Sequence, residues 1–164
     1  MVLAISLGLL GLSACTQKGS ESAQSGGTES TGYDLSAASN EKYLTDNAAK
    51  PGVTSLPSGL QYRVIKHGTG KTPALTDKVT VTYKGSLVDG RVFDQTPPGQ
   101  TATFPAGQLI PGWVEALSLM KEGDEWELVI PSKLGYGEQG AGNDIPPNAT
   151  LIFDMALISV ASQS

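Results

Sequence analysis

One cysteine and one histidine are all that the chain offers of those two residues, and this scarcity removes several chemistries at once. A disulfide framework or a Cys/His metal site within a single chain needs more of them than are present. A thiol or hydroxyl nucleophile paired with imidazole is disfavoured too, because His67 opens His67-Gly68-Thr69-Gly70, which reads as a turn between strands. Positive charge is also short: 11 Lys and Arg against 16 Asp and Glu give a formal net charge of -5, with no basic run anywhere. Nucleic acid therefore has no electrostatic footprint to bind. No apolar run reaches the roughly 20 residues needed to cross a bilayer. Aromatic residues are few, with three Phe, two Trp and five Tyr, so their placement is informative.

What is present begins with an apolar leader. Met1 to Ala14 are almost wholly apolar or small and end at Cys15, the pattern of a secretory signal peptide's hydrophobic region. No Lys or Arg precedes that run, a departure from the usual positively charged start. Leu12-Ser13-Ala14-Cys15 resembles the lipobox of bacterial lipoproteins, in which the cysteine is diacylated and becomes the mature N-terminus. The resemblance implies an exported protein on the periplasmic or cell-surface side of a bacterial membrane, anchored through acyl chains that contribute about 0.8 kcal/mol per buried CH2. Thr16 stands where an aspartate would suggest retention in the inner membrane, so the outer membrane is expected.

Four segments follow from composition. Residues 1–14 read as signal peptide and 15–38 as a lipidated cysteine with a disordered tether, because Ser, Gly, Thr, Gln and Glu dominate and little apolar surface is available to offset ordering entropy. Residues 39–58 read as a short helix and linker: the helix runs from Ser39 to Lys50, ends at Pro51-Gly52, and has Tyr43, Leu44 and Ala48 as its apolar stripe. Residues 59–164 read as the globular domain. Leu60 to Lys66, Lys78 to Lys84 and Glu125 to Ile130 alternate apolar with polar residues, placing Val79, Val81 and Tyr83, and then Trp126, Leu128 and Ile130, on inward faces. Leu151 to Ile158 is mostly apolar, as suits a central strand. One amphipathic helix opens at Pro111-Gly112, carries Trp113, Val114, Ala116, Leu117 and Met120 at helical spacing, and closes at Gly123. The expected fold class is α+β, an antiparallel twisted sheet wrapped around one short helix.

Six of the aromatic residues, Tyr83, Phe93, Phe104, Trp113, Tyr136 and Phe153, stand in or beside segments rich in Gly, Pro and aliphatics. Those segments are Tyr83-Lys84-Gly85, Val92-Phe93-Asp94, Leu109-Ile110-Pro111-Gly112-Trp113, Gly135-Tyr136-Gly137, Ile145-Pro146-Pro147 and Leu151-Ile152-Phe153-Asp154. An aromatic bowl with a carboxylate and a phenol at its rim suits a compact apolar group such as a proline ring. In order and spacing these motifs resemble the FKBP-type peptidyl-prolyl cis-trans isomerase domain, over about Gly59 to Val160. With Pro57-Ser58-Gly59-Leu60-Gln61-Tyr62 included, the likeness is to the bacterial exported branch that contains the macrophage infectivity potentiator proteins.

The resemblance implies a cofactor-free and metal-free isomerase acting on proline-containing polypeptides, with macrolides such as rapamycin as further ligands. Asp94, Tyr136, Tyr83 and Phe93 take the catalytic positions, and Phe104, Leu109, Ile110, Trp113, Ile145 and Phe153 the substrate-binding ones. Trp113 would be the floor. The Ile110 N–H and the Tyr136 hydroxyl would donate hydrogen bonds to substrate carbonyls, with Asp94 acting electrostatically at the rim. Family members of this branch commonly dimerise through an N-terminal helical region, which is much shorter here, so the oligomeric state stays open. Ala141 replaces a histidine often found in the family. Asp144 replaces an aliphatic residue and is expected to disfavour acidic residues before the proline. A different class of function would use the same bowl: a membrane-anchored chaperone or binding module that captures apolar or Pro-containing segments without turnover.

Overall fold

The computed structural model describes residues 32–162. The expected signal peptide, the lipidation site at Cys15 and most of the tether lie outside the described residues. Alternation of apolar and polar side chains gives seven strands: β1 (Val53–Ser55), β2 (Gln61–Lys66), β3 (Lys78–Leu87), β4 (Val92–Gln95), β5 (Ala102–Pro105), β6 (Glu125–Ile130) and β7 (Leu151–Ala161). All pairings are antiparallel, in the order β1-β2-β6-β7-β3-β4, with β5 on the other half of the β3 edge. The helix α2 (Pro111–Leu119) lies against one face of this sheet. Its Trp113, Ala116 and Leu117 are buried with Val81, Leu128, Ile130, Phe153 and Met155 in one core. The α+β expectation, a sheet around a short helix, describes this arrangement.

Cross-strand register turns single-strand alternation into two chemically distinct faces. Val64, Trp126, Met155 and Tyr83 line up across β2, β6, β7 and β3, facing α2. The adjacent row, Arg63, Glu127, Asp154 and Lys84, faces the other way. Arg63 pairs with Glu127 at 2.8 Å and Lys66 with Glu125 at 3.4 Å on that outer face.

Helix α1 (Ala37–Ala48) differs from expectation at both its start and its packing face. Its N-cap is Ser36, whose Oγ accepts from the Ser39 N–H at 3.2 Å, so the helix starts two residues before the expected Ser39. Tyr43 and Leu44 are half-buried, but Ala48 is exposed, and the buried residues are Asn40 and Asn47. The Asn47 amide donates to Gln61 Oε1 at 2.9 Å, and the Gln61 amide donates to the Leu44 carbonyl at 2.8 Å. Amides, which apolar periodicity does not register, hold this helix to β2. The segment read as a linker contains β1, which pairs with β2, so the sheet begins before Gly59. Helix α2 also stops earlier than expected: Met120 is already extended, and Gly123, at φ 94°, belongs to the turn into β6. Among the described residues no helix is long and apolar enough to cross a membrane.

Candidate active site

The bowl forms where β3, β4, β5, β7 and the start of α2 meet. Gly112 and Trp113 sit in the first turn of α2, behind Pro111, whose fixed φ suits that position. A Cβ on Gly112 would lie 2.5 Å from Ile130, so this glycine lets the helix approach β6 closely. Trp113 is thereby lowered to the floor, 4% exposed. Phe153 meets it edge-on with ring centroids 5.1 Å apart, Tyr83 does so at 5.2 Å and Phe104 at 6.2 Å. Edge-to-face packing at such distances stabilises aromatic clusters beyond simple area burial.

The β3–β4 hairpin supplies the remaining wall through an irregularity. Gly85 pairs with Asp94 and Ser86 with Val92, leaving Phe93 as an extra residue in β4. Consecutive residues of a regular strand face opposite sides. The bulge relaxes that rule and brings both Phe93 and Asp94 to the bowl. Opposite them, a Cβ on Gly85 would lie 2.7 Å from both the Phe93 and Phe153 rings, so only glycine leaves room for their edge-on contact at 5.5 Å. Gly85 and Gly112 are site-building residues that carry no functional group; their signal was a glycine inside a strand or helix start.

Apart from the buried Trp113 indole N–H, which has no partner among the described residues, the polar side-chain groups stand at the rim. The Tyr83 hydroxyl donates to Asp94 Oδ2 at 2.7 Å. Burial first, and then the hydrogen bond to Asp94 and its charge, push the Tyr83 phenol up to about 12. It is therefore a neutral donor throughout the neutral range, and it fixes the carboxylate's direction. The Ile110 N–H, at the N-cap of α2, has no acceptor among the described residues. Tyr136 is 42% exposed on the segment after β6. Together Tyr83, Phe93, Asp94, Phe104, Leu109, Ile110, Trp113, Tyr136 and Phe153 enclose about 170 Å³.

Those are nine of the ten residues expected to form the pocket. Ile145 is the one that does not line it. It is 7% exposed, packs in the core, and exchanges backbone hydrogen bonds with Ala141 at 2.9 and 3.1 Å. Asp144 beside it is exposed and also absent from the lining. A wider depression of about 560 Å³ lies on the outer face, lined by Arg63, Ile65, Lys84, Glu125, Glu127 and Asp154 among others. It carries five charged side chains and is more open than the bowl, so size does not make it the better site for a proline ring. Among the described residues no group of three or more His, Cys, Asp or Glu stands where it could hold a metal ion.

Comparison with known proteins agrees with this geometry. A family model described as FKBP-type peptidyl-prolyl cis-trans isomerase matches residues 69–158. A second, described as the domain amino terminal to FKBP-type peptidyl-prolyl isomerase, matches residues 13–64. The chain is 52% identical over 129 residues to the FKBP-type 22 kDa peptidyl-prolyl cis-trans isomerase of Escherichia coli, covering 78% of this chain and 63% of that protein. It is 52% identical over 124 residues to the outer membrane protein MIP of Legionella longbeachae, covering 75% of this chain and 53% of that one. The crystal structure of a peptidyl-prolyl cis-trans isomerase from Pseudomonas syringae pv. tomato superposes with a TM-score of 0.72 at 38% identity, over 77% of this chain and 93% of that chain. The chain thus spans less than two thirds of the length of these two curated relatives.

Proposed function

The chain belongs to the FKBP-type peptidyl-prolyl cis-trans isomerase family, and on that premise we propose that it catalyses rotation about X-Pro peptide bonds in exported polypeptides. The observation that carries this reading is the aromatic bowl over Trp113, with Tyr83, Asp94, Tyr136 and the Ile110 N–H at its rim.

Resonance holds the peptide bond planar with a barrier of about 18 to 20 kcal/mol. An uncatalysed X-Pro bond turns over in roughly tens to hundreds of seconds. The planar form is charge-separated, and the twisted form at the top of the barrier has lost that polarity. Moving the bond from water into an aromatic enclosure therefore raises the planar ground state relative to the twisted one. The proline ring seats on Trp113 between Phe104, Phe153 and Tyr83. The Ile110 N–H and Tyr136 hydroxyl receive carbonyls flanking the turning bond, holding the chain while it rotates. Asp94, aimed by Tyr83, faces the twisting amide as a fixed charge and transfers no proton. No covalent bond breaks, so the site needs neither nucleophile nor acid–base pair. Each ~1.36 kcal/mol removed from the barrier gives about tenfold in rate.

The direct test is a protease-coupled prolyl isomerisation assay on the full chain, with and without rapamycin. Catalysis of the slow phase, suppressed by the macrolide, is expected; a slow phase unchanged by the protein would remove the isomerase reading. We further propose anchorage to the outer membrane through acylated Cys15, which Leu12-Ser13-Ala14-Cys15 supports. Mass spectrometry of the native protein should find a diacylated N-terminal cysteine, and an unmodified Cys15 in membrane fractions would remove that part alone.

A further inference from the structure

Tyr136 has no rigid element of its own. It follows the single 3-10 turn Ser132–Leu134 and precedes another, Gly137–Gln139. Beyond it the chain loops out through Ala141 to Ile145 before returning to β7. The base of this loop is closed by one backbone bond, from the Asn148 N–H to the Gly137 carbonyl at 2.9 Å. Both of its ends need the left-handed region, Gly137 at φ 62° and Asn148 at φ 60°. Asparagine is among the few residues other than glycine that enter that region readily. A hydroxyl carried this way is placed only as well as the returning strand is placed.

That returning strand is held from outside the domain's sheet. Thr150, 1% exposed, donates its backbone N–H to Asn40 Oδ1 of α1 at 2.7 Å. The Asn40 amide is committed on its other side, where Nδ2 donates to the Ser36 carbonyl at 2.8 Å. Asn40 is itself 3% exposed, so neither half of this bridge has water as a substitute. Around it, Ala37, Glu41 and Leu44 of α1 form a cleft with Pro131, Ser132 and Lys133 on the outgoing side and Asn148 on the returning side. Helix α1 therefore lies against both stems of the segment that carries Tyr136.

We propose that Asn40 is a positioning residue of the isomerase site: by holding Thr150 it fixes the loop base at Asn148 and Gly137, and so the place of the Tyr136 hydroxyl. This rests on the isomerase reading given above. It gives α1 a part in catalysis although none of its residues lines the bowl.

The test is a double-mutant cycle on the full chain, read by kcat/KM for a prolyl peptide and by amide hydrogen exchange. Asn40→Ala should lower kcat/KM about threefold to tenfold, the scale of loosening one hydrogen-bond donor. In a Tyr136→Phe background the same change should cost nothing more, because the group it positions is gone. Asn40→Asp keeps an acceptor for Thr150 but replaces the donor to the Ser36 carbonyl with a second oxygen, so it should recover the rate only in part. Asn47→Ala breaks the other anchor of α1, on Gln61, and should leave the rate near wild type while lowering stability. Exchange at Thr150 and Asn148 should quicken in Asn40→Ala, with α2 amides unchanged. An equal loss in both backgrounds, or an equal loss in Asn47→Ala, would overturn the proposal in favour of general destabilisation. Unchanged exchange at Thr150 and Asn148 would overturn it whatever the activity. Quickened exchange in a chain that never isomerises proline would instead sink the isomerase reading and leave the structural link standing.

Discussion

Along β7, Phe153 and Met155 turn toward α2, and Asp154 between them turns away. The same division runs through β3 at Tyr83 and Lys84, and through β6 at Trp126, Glu127 and Leu128. Two faces built from alternate residues of the same strands thus treat polarity in opposite ways. On the outer face charges meet charges, as Arg63 does Glu127 and Lys66 does Glu125. On the inner face aromatic rings line a space, and the Ile110 N–H at its edge has no partner among the described residues. Unmet hydrogen-bonding capacity beside an apolar cavity is what a ligand can use; charges already paired across a surface have less to offer. The smaller cavity is the better suited to a ligand for that reason.

The comparison breaks hardest at the floor. Trp113→Ala removes the ring that Tyr83, Phe104 and Phe153 all contact, and should cost about 3–5 kcal/mol of stability by the usual scale for a buried tryptophan. Isomerase activity at a temperature where the variant remains folded should fall by about a hundredfold or more, through lost shape for the twisted bond. Glu127→Ala on the outer face should cost only about 0.2–1 kcal/mol and leave the rate unchanged. Denaturant melts alongside kcat/KM check both. An outer-face variant as damaging to the rate as the floor variant would show that the faces are not separable.

A smaller effect sharpens the rim. Tyr83→Phe keeps the wall ring but frees Asp94, and should lower the rate by about threefold to tenfold, consistent with one charge-assisted hydrogen bond. Because the Tyr83 phenol is raised to about 12 from 10.0, the folded state holds its proton more tightly than the unfolded chain. The associated stability is present in full below pH 10 and is lost as pH climbs from there toward 12. Near neutrality the wild-type rate should be level with pH. In a tyrosinate absorbance titration, where Tyr33 and Tyr43 also titrate late, the latest step should disappear in Tyr83→Phe; its persistence would assign the shift elsewhere.

The inner face was legible in sequence because period-two alternation marks it, and nine bowl residues because the motifs around them resemble those of a known family. Four features were not. Helix α1 docks through Asn40 and Asn47, and amides look like surface residues to any hydrophobic pattern. Strand β1 is three residues long, too short to alternate visibly. Ile145 turns into the core because a local backbone bridge with Ala141 sets its direction, and motif spacing carries no information about that. The meeting of Tyr83 and Asp94 likewise depends on the bulge at Phe93, which linear spacing does not encode.

The smallest expected effect lies at a member of the outer row that forms no ion pair among the described residues. Asp154 stands between Lys84 and Glu127 in register, yet its carboxyl is pushed above the ordinary value of 3.8, first by burial and then by the nearby Glu127 charge, against weaker help from Lys84 and Arg63. A carboxyl raised on folding contributes stability only while protonated, below the unfolded value, and loses it as pH rises through the folded one. At neutral pH the ionised Asp154 therefore costs the fold something. Asp154→Asn should raise Tm at pH 7 by about 1 °C, a few tenths of a kcal/mol after solvent screening. The gain should vanish at about pH 3, where the carboxyl is neutral in both states. Calorimetry at the two pH values decides it: a gain of equal size at both would mean that packing, and not charge, separates the variants. A loss at pH 7 would mean that Lys84 and Arg63 together outweigh burial, making the outer row satisfied at every position.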